Sequence, residues 1–267
     1  MLRNSTIKLL SSSRAAQLDR FLMSAEGGGF SIDQLMELAG LAVAQAVYKA
    51  YPPQKVAQSS KTESAVRRDK VLILVGPGNN GGDGLVAARH LQLLGYDCLV
   101  FYPKRNTKST LYTGLVQQMN HFDISFLKTP GTDSENLKKF EELTLSSAFK
   151  KSDIIIDAIF GFSYKPPIRE PFHEAIQLLT STNKPVVSVD VPSSWNVDNG
   201  PVDIDSNGVF MPSVLVSLTA PKGVVKSISQ STRHFVGGRF VSEALQNEFD
   251  LDNISYIGTD MVAEVSN

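Results

Sequence analysis

At 267 residues, 42% hydrophobic and 20% charged, the chain is long enough for one large α/β domain and too apolar to be intrinsically disordered. A formal net charge of −1 excludes an electrostatic case for nucleic acid or an anionic membrane surface, and no apolar run approaches the roughly 20 residues of a membrane-spanning helix. The single cysteine, Cys98, rules out an intrachain disulfide, fits a reducing compartment, and sits in an apolar run as a structural thiol would.

The N-terminal stretch holds Arg3, Lys8, Arg14 and several serines, with no acid before Asp19, which is transit-peptide composition. It also reads as a first helix, capped within Ser11, Ser12 and Ser13 and apolar at Ala15, Leu18, Leu22 and Met23. The helix is preferred, so the cytoplasm is expected, with mitochondrial targeting of part of the protein left open. A second helix starts at Ser31, where Ser31 and Gln34 form a capping box ahead of a wide apolar stripe from Leu35 to Val43. Residues 53–69 are polar and rich in breakers, as in an exposed loop.

From Lys70 onward, apolar runs alternate with helical segments. VLILVG, CLVFYP, DIIIDAIFG, PVVSVDVP and SVLVSLTAP are continuous and rich in Val, Ile and Leu, like strands buried on both faces of a parallel sheet. The helical segments between them fall near 83–95, 109–122, 135–150 and 171–181. ISFLK at 124–128 reads as another short strand, and HFVGGRFV at 234–241 as a late strand or hairpin at the sheet edge. This alternation predicts right-handed βαβ units, a mostly parallel central sheet and one domain over 1–267.

The stretch VGPGNNGGDG follows a strand and opens a helix, and Gly76, Gly78 and Gly81 spell the dinucleotide fingerprint. That fingerprint requires an acid about 20 positions on, at the end of the second strand, to bind the ribose. Here the strand runs into Tyr102, Pro103 and Lys104. No Gly-Lys-Ser/Thr follows either, so a nucleotide-phosphate loop of the Walker type is excluded. Asn79, Asn80 and Asp83 are polar side chains that a plain glycine turn does not need. Two more acids, Asp157 and Asp190, lie near the carboxyl ends of apolar strands, and Ser193 follows three residues after the second. Buried carboxylates require partners or a ligand, and open α/β sheets place their sites at these strand ends. The two aspartates and the Asn-Asn-Gly-Gly-Asp stretch therefore predict one site.

Six segments, in this order, carry a family likeness: QLMELAGLAVAQAV at 34–47, GPGNNGGDGLVAARHL at 76–91, DAIFGFSYKPPIREPF at 157–172, VDVPSSW at 189–195, LVSLTAPK at 215–222 and HFVGGRF at 234–240. Through them the sequence resembles the NAD(P)H-hydrate epimerases, whose domain is of the YjeF N-terminal type, and fungal members above all. The resemblance implies a Rossmann-like three-layer α/β sandwich. It also implies an isomerase acting on NADH and NADPH that have taken up water across the 5,6 double bond of the nicotinamide ring. Such an enzyme interconverts the R and S epimers at C6, so that a stereospecific, nucleotide-dependent dehydratase can restore the dinucleotide. The chain leaves no room for the dehydratase, so a separate partner is expected; a homodimer stays open.

Carried over by position, the resemblance assigns Asn79, Asn80, Gly81, Gly82 and Asp83 to substrate binding. Gly161, Phe162, Ser163, Tyr164, Lys165, Pro166 and Pro167 form a second binding segment, and Asp190 contacts the substrate. It also implies one potassium ion held by Asn80, Asp157, Ser193 and backbone carbonyls, a donor set suited to a hard cation. The four dispersed histidines argue against zinc. Asp190 and Asp157 are the candidate catalytic acid/base groups, with Asp190 favoured if Asp157 binds the ion. Lys165 reads equally as a phosphate partner or a solvated loop lysine, Lys222 as a surface turn, His90 as packing or capping, and Trp195 as packing or a stacking surface. Ser194 stands where other members often carry Gly, which demands an altered turn. Asn196 and Ser213 stand where acids are common in the family. The alternative is a non-catalytic interaction or dimerisation module of the same fold, for which the acids just named would have no use.

Overall fold

A computed structural model describes residues 7–53, 67–129, 137–202 and 208–266. Arg3, most of the expected 53–69 loop and the start of the helix expected over 135–150 lie outside the described residues. The first described helices are α1 (Ser12–Met23) and α2 (Ile32–Ala50). Ser11 caps α1 by accepting from Arg14 N–H, and Ser31 and Gln34 close the reciprocal capping box on α2. The N-terminal serines and the apolar residues Ala15, Leu18 and Leu22 thus belong to a packed helix.

The alternating region then runs β1 (Lys70–Val75), α3 (Asn79–Leu93), β2 (Asp97–Phe101), α4 (Thr110–His121), β3 (Ser125–Leu127), β4 (Phe140–Glu141), α5 (Leu145–Lys151), β5 (Ile154–Ala158), α6 (His173–Ser181), β6 (Val186–Val189) and β7 (Val214–Leu218). It ends with β8 (Arg233–Gly237), α7 (Glu243–Phe249) and β9 (Val262–Val265). These strands form one sheet in the order β4-β3-β2-β1-β5-β6-β7-β8-β9. Every pairing is parallel except β8 with β9.

The period-2 alternation of each strand feeds two cores. Val71, Ile73 and Val75 of β1 pack under α2, α3 and α4, whereas Leu72 and Leu74 pack under α5 and α6. Helices on both faces bury β1 beyond Lys70 and all of β5, β6 and β7, which is why their sequences are mostly apolar. Each fully buried Val, Leu or Ile contributes about 1.5–3 kcal/mol relative to exposure. A third cluster, built from α1 and α7, closes over the carboxyl end of the sheet.

Three expectations need correction. The segment 135–150 is not one helix: β4 pairs with β3, and Thr144 caps the short α5. The strand in HFVGGRFV is not the edge, because β9 pairs antiparallel with it. The helix expected from residue 83 begins at Asn79, so the Asn-Asn-Gly-Gly-Asp stretch is helical rather than a loop. Cys98 is buried, and burial pushes its thiol up, as a structural cysteine requires. Among the described residues, no helix is long and apolar enough to cross a membrane.

Candidate active site

Strand order reverses between β1 and β5, and α/β sheets open a crevice at such a switch point, beyond the carboxyl ends of the strands. The glycines after β1 are shaped by that crowding. A Cβ on Gly76 would lie 1.8 Å from the Ile159 carbonyl oxygen, and one on Gly81 would lie 1.9 Å from the Gly76 carbonyl oxygen. Gly82 gives room to Met36 of α2, whose sulfur would meet a Cβ at 2.4 Å. Close packing therefore accounts for Gly76, Gly81 and Gly82, and Gly81→Ala is expected to cost about 1–3 kcal/mol or more by overpacking. Chemical denaturation tests this: an unchanged midpoint would contradict it.

The seat that these glycines give α3 points its first polar residues at the crevice. Asn79 Oδ1 accepts from Tyr112 Oη of α4 at 2.8 Å. Asn80 is 9% exposed and its Nδ2 has no hydrogen-bond partner. Asp83 is 8% exposed. Burial pushes the Asp83 carboxyl well above the usual range; nearby Asp190 and Asp19 push the same way, and Lys222 opposes them.

Across the crevice, Gly161 follows β5. A Cβ there would sit 3.1 Å from Asp190 Oδ2 and 3.2 Å from Asn80 Oδ1, so the bare glycine lets the three segments meet. Asp190 follows β6 with φ 67°, in a three-residue turn closed by Val191 N–H on the Val189 carbonyl at 2.8 Å. Thr219, after β7, repeats the arrangement: φ is 67° and Ala220 N–H reaches the Leu218 carbonyl at 2.7 Å. A positive φ on a β-branched residue is a rare, strained conformation, and such strain concentrates at functional sites. Ser194 has φ 78°, so the altered turn expected from the glycine-to-serine departure is not formed: serine takes up the left-handed backbone itself.

Lys222 differs most from its sequence reading as a surface turn. It is 3% exposed, and its ammonium lies 2.5 Å from Asp190 Oδ1. It also donates to the carbonyls of Leu218 at 2.8 Å and Ala220 at 3.2 Å, under the ring of Phe162. The other Asp190 oxygen accepts from Phe162 N–H at 3.0 Å. Both carboxylate oxygens are thus fixed by protein donors.

Asp157 occupies a separate, fully buried niche. Its register partner Ser188 on β6 donates to Oδ2 at 3.0 Å, as does Ser193 N–H at 2.8 Å, and Ser193 Oγ lies 2.5 Å from Oδ1. Ser193 Oγ accepts in turn from Phe160 N–H at 2.9 Å. Burial raises the Asp157 carboxyl, and the serine hydrogen bonds oppose the shift.

These elements surround a cavity of about 500 Å³. Of the residues singled out in the sequence, Asn79, Asn80, Asp83, Gly161, Phe162, Ser163, Tyr164 and Asp190 line it. Gly81 and Gly82 do not, being packed inside α3; Lys165, Pro166 and Pro167 are exposed away from it. Asp157 and Ser193 do not line it either, so Asp157 is not placed to touch a ligand as an acid or base. Sequence reasoning missed Asp19 of α1, Thr219 and the buried state of Lys222. Trp195 is 1% exposed and packs with Val191, Val197 and Val224, which excludes stacking on a ligand. His90 Nε2 meets Glu37 Oε1 at 2.8 Å and ties α3 to α2, a packing role.

The fold and the site define a class: a Rossmann-like α/β protein with an acid-lined ligand cavity at the switch point of its sheet. Residues 32–224 match the model of the YjeF-related protein N-terminus, and the chain belongs to that family. It is 52% identical over 267 residues to a Yarrowia lipolytica protein named NAD(P)H-hydrate epimerase, a match that covers 100% of this chain and 97% of the relative. A Saccharomyces cerevisiae protein of the same name is 44% identical over 265 residues, covering 98% and 100%. The crystal structure of yeast ynu0 superposes with a TM-score of 0.83 at 40% identity, covering 97% of this chain and 100% of that one.

Proposed function

We propose that this protein is an NAD(P)H-hydrate epimerase, an isomerase that interconverts the R and S forms of hydrated NADH and NADPH at C6 of the nicotinamide ring. The observation that carries the proposal is the full-length similarity to the Yarrowia lipolytica epimerase. The cavity agrees with it. Its Asn79, Asn80, Asp83 and Asp190 are groups that a non-catalytic module would not need, and no acid follows β2 to hold a dinucleotide as a redox cofactor.

The hydrated C6 carries a hydroxyl beside the ring nitrogen. When a proton is added to that hydroxyl, it leaves as water and the nitrogen lone pair closes a planar iminium. Water returning to the opposite face gives the other epimer. The transition state gains positive charge, so a fixed carboxylate facing it lowers the barrier. Asp190 fills this role, oriented by Lys222 and by Phe162 N–H.

A potassium ion belongs to the same proposal. Asp157 is a fully buried carboxyl whose partners are two serines and backbone N–H groups, with no basic side chain paired to it among the described residues. A buried anion without a counter-ion suits a hard monovalent cation, and Asn80, Asp157, Ser193 and neighbouring carbonyls are the oxygen donors that would hold it. Bound there, the ion would supply the counter-charge for Asp157. The epimerase would act ahead of a separate nucleotide-dependent dehydratase.

The test is conversion of isolated R hydrate to S, followed by NMR with and without potassium. Exchange far above the uncatalysed rate is expected, with a loss when potassium is replaced by lithium. Absence of exchange would overturn the proposed activity, and indifference to potassium would overturn the ion.

A further inference from the structure

Loss of the C6 hydroxyl as water requires a proton donor. Asp190 is poorly placed to be one, because Oδ1 accepts from Lys222 Nζ at 2.5 Å and Oδ2 from Phe162 N–H at 3.0 Å. Lys222 commits its other two protons to the Leu218 and Ala220 carbonyls. Asp157 does not reach the cavity.

Asp83 differs from both. It lines the cavity, is 8% exposed, and forms no hydrogen bond or ion pair with its side chain among the described residues. Its helix sets it deep in the wall, where a carboxylate would be costly to desolvate. Asp19 of α1 lines the same cavity, also without a hydrogen bond or ion pair among the described residues. Among the described residues, three carboxyl groups therefore face one cavity, against one ammonium already bound to Asp190. With all three ionised, two negative charges would stand uncompensated along one cavity wall, so the cluster retains a proton. Asp83 is where that proton rests, because Asp190 is paired with Lys222 whereas Asp83 has no donor among the described residues; burial raises its carboxyl, with Asp190 and Asp19 adding to the effect and Lys222 opposing it. Asp19 is itself raised by burial, against the pull of Lys222 and with that of Asp190. On α4 the nearby titratable group is the Tyr112 phenol, also raised by burial. On α2, Glu37 is turned towards Arg89 and His90 and does not line the cavity.

We propose that Asp83 is the catalytic acid of the epimerisation and that Asp19 is a positioning residue whose charge keeps the proton on it. This rests on the epimerase reading of the same cavity. Asp83 transfers its proton to the C6 hydroxyl. The C–O bond breaks with its electron pair on the departing water, and the nitrogen lone pair forms the C=N bond of the iminium. Asp83 is then a carboxylate beside a cation. When water adds to the other face, its surplus proton passes to a solvent water, a proton from solvent restores Asp83, and the cycle closes with no net change in atoms or charge.

The experiment compares R-to-S exchange across pH for the full-length wild type, Asp83→Asn, Asp19→Asn and Asp19→Glu. Asp83→Asn is expected to lower kcat by about 10²–10⁴-fold with KM little changed. Wild-type kcat should fall as pH rises through the titration of Asp83. In Asp19→Asn that falling limb moves to lower pH, on the order of one unit, because a neutral neighbour makes Asp83 easier to ionise. Asp19→Glu restores the limb. An Asp83→Asn protein that exchanges at the wild-type rate overturns the acid, and a limb that stays in place in Asp19→Asn overturns the coupling. Asp19 lies on a separate helix, so its result stands even if Asp83→Asn folds poorly. A wild type without exchange would instead refute the epimerase reading.

Discussion

Asp190→Asn is expected to reduce R/S exchange by about 10²–10³-fold while leaving the protein folded. The side chains are nearly isosteric, and asparagine tolerates the positive φ of 67° found at this position. Asn Oδ1 can still accept from Lys222, so the wall of the cavity keeps its shape. What disappears is the charge facing the iminium, together with an acceptor for Phe162 N–H, since an amide NH₂ cannot accept. The loss of that acceptor, and of the anion beside a buried ammonium, costs about 1–3 kcal/mol, seen as a lower Tm. The functional readout is NMR or chiral chromatography of the two epimers, with substrate binding measured separately. Full exchange in this variant would remove Asp190 from the chemistry; loss of binding alone would make it a recognition group.

Much of the fold is legible in the sequence, because parallel strands buried on both faces are written as unbroken apolar runs. VLILVG, CLVFYP and SVLVSLTAP correspond to β1, β2 and β7. The elements that escape are those without such a signal. Phe140–Glu141 is two residues long, and Val262–Val265 spans only four residues at an antiparallel edge, without apolar/polar alternation. The carboxyl-terminal acids Asp157 and Asp190 are visible because a charge inside an apolar run is costly and so conspicuous. Their division of labour is not. It depends on Ser188 standing opposite Asp157 in the register and on a turn that swings Asp190 toward Lys222. Asp19 and Lys222 are further from reach. Asp19 sits among the polar positions of an amphipathic helix, and Lys222 follows Ala220 and Pro221 as a surface lysine would. Neither pattern reports a neighbour brought in from a distant segment. The glycine fingerprint misleads for a related reason. Gly76 and Gly81 are required by packing against Ile159 and each other, and the same spacing serves phosphate binding elsewhere.

Lys222→Met is expected to be the most destabilising single change at this site. Methionine matches the length of the lysine stem and keeps its packing under Phe162, so the loss isolates the ammonium. Asp190 would then be a buried carboxylate with only Phe162 N–H as donor among the described residues, and the carbonyls of Leu218 and Ala220 would lose their Lys222 partner. Breaking a buried ion pair from one side costs about 3–5 kcal/mol, because the remaining charge is left uncompensated. That is a large share of the roughly 5–15 kcal/mol that holds a domain folded. A second substitution separates this cause from simple loss of volume. In Lys222→Met with Asp190→Asn, no unpaired charge remains, so the double variant should be more stable than Lys222→Met alone. The interaction energy in the double-mutant cycle should be of the order of 1–3 kcal/mol. Strict additivity in denaturant titrations would show that the 2.5 Å contact contributes packing and no charge compensation.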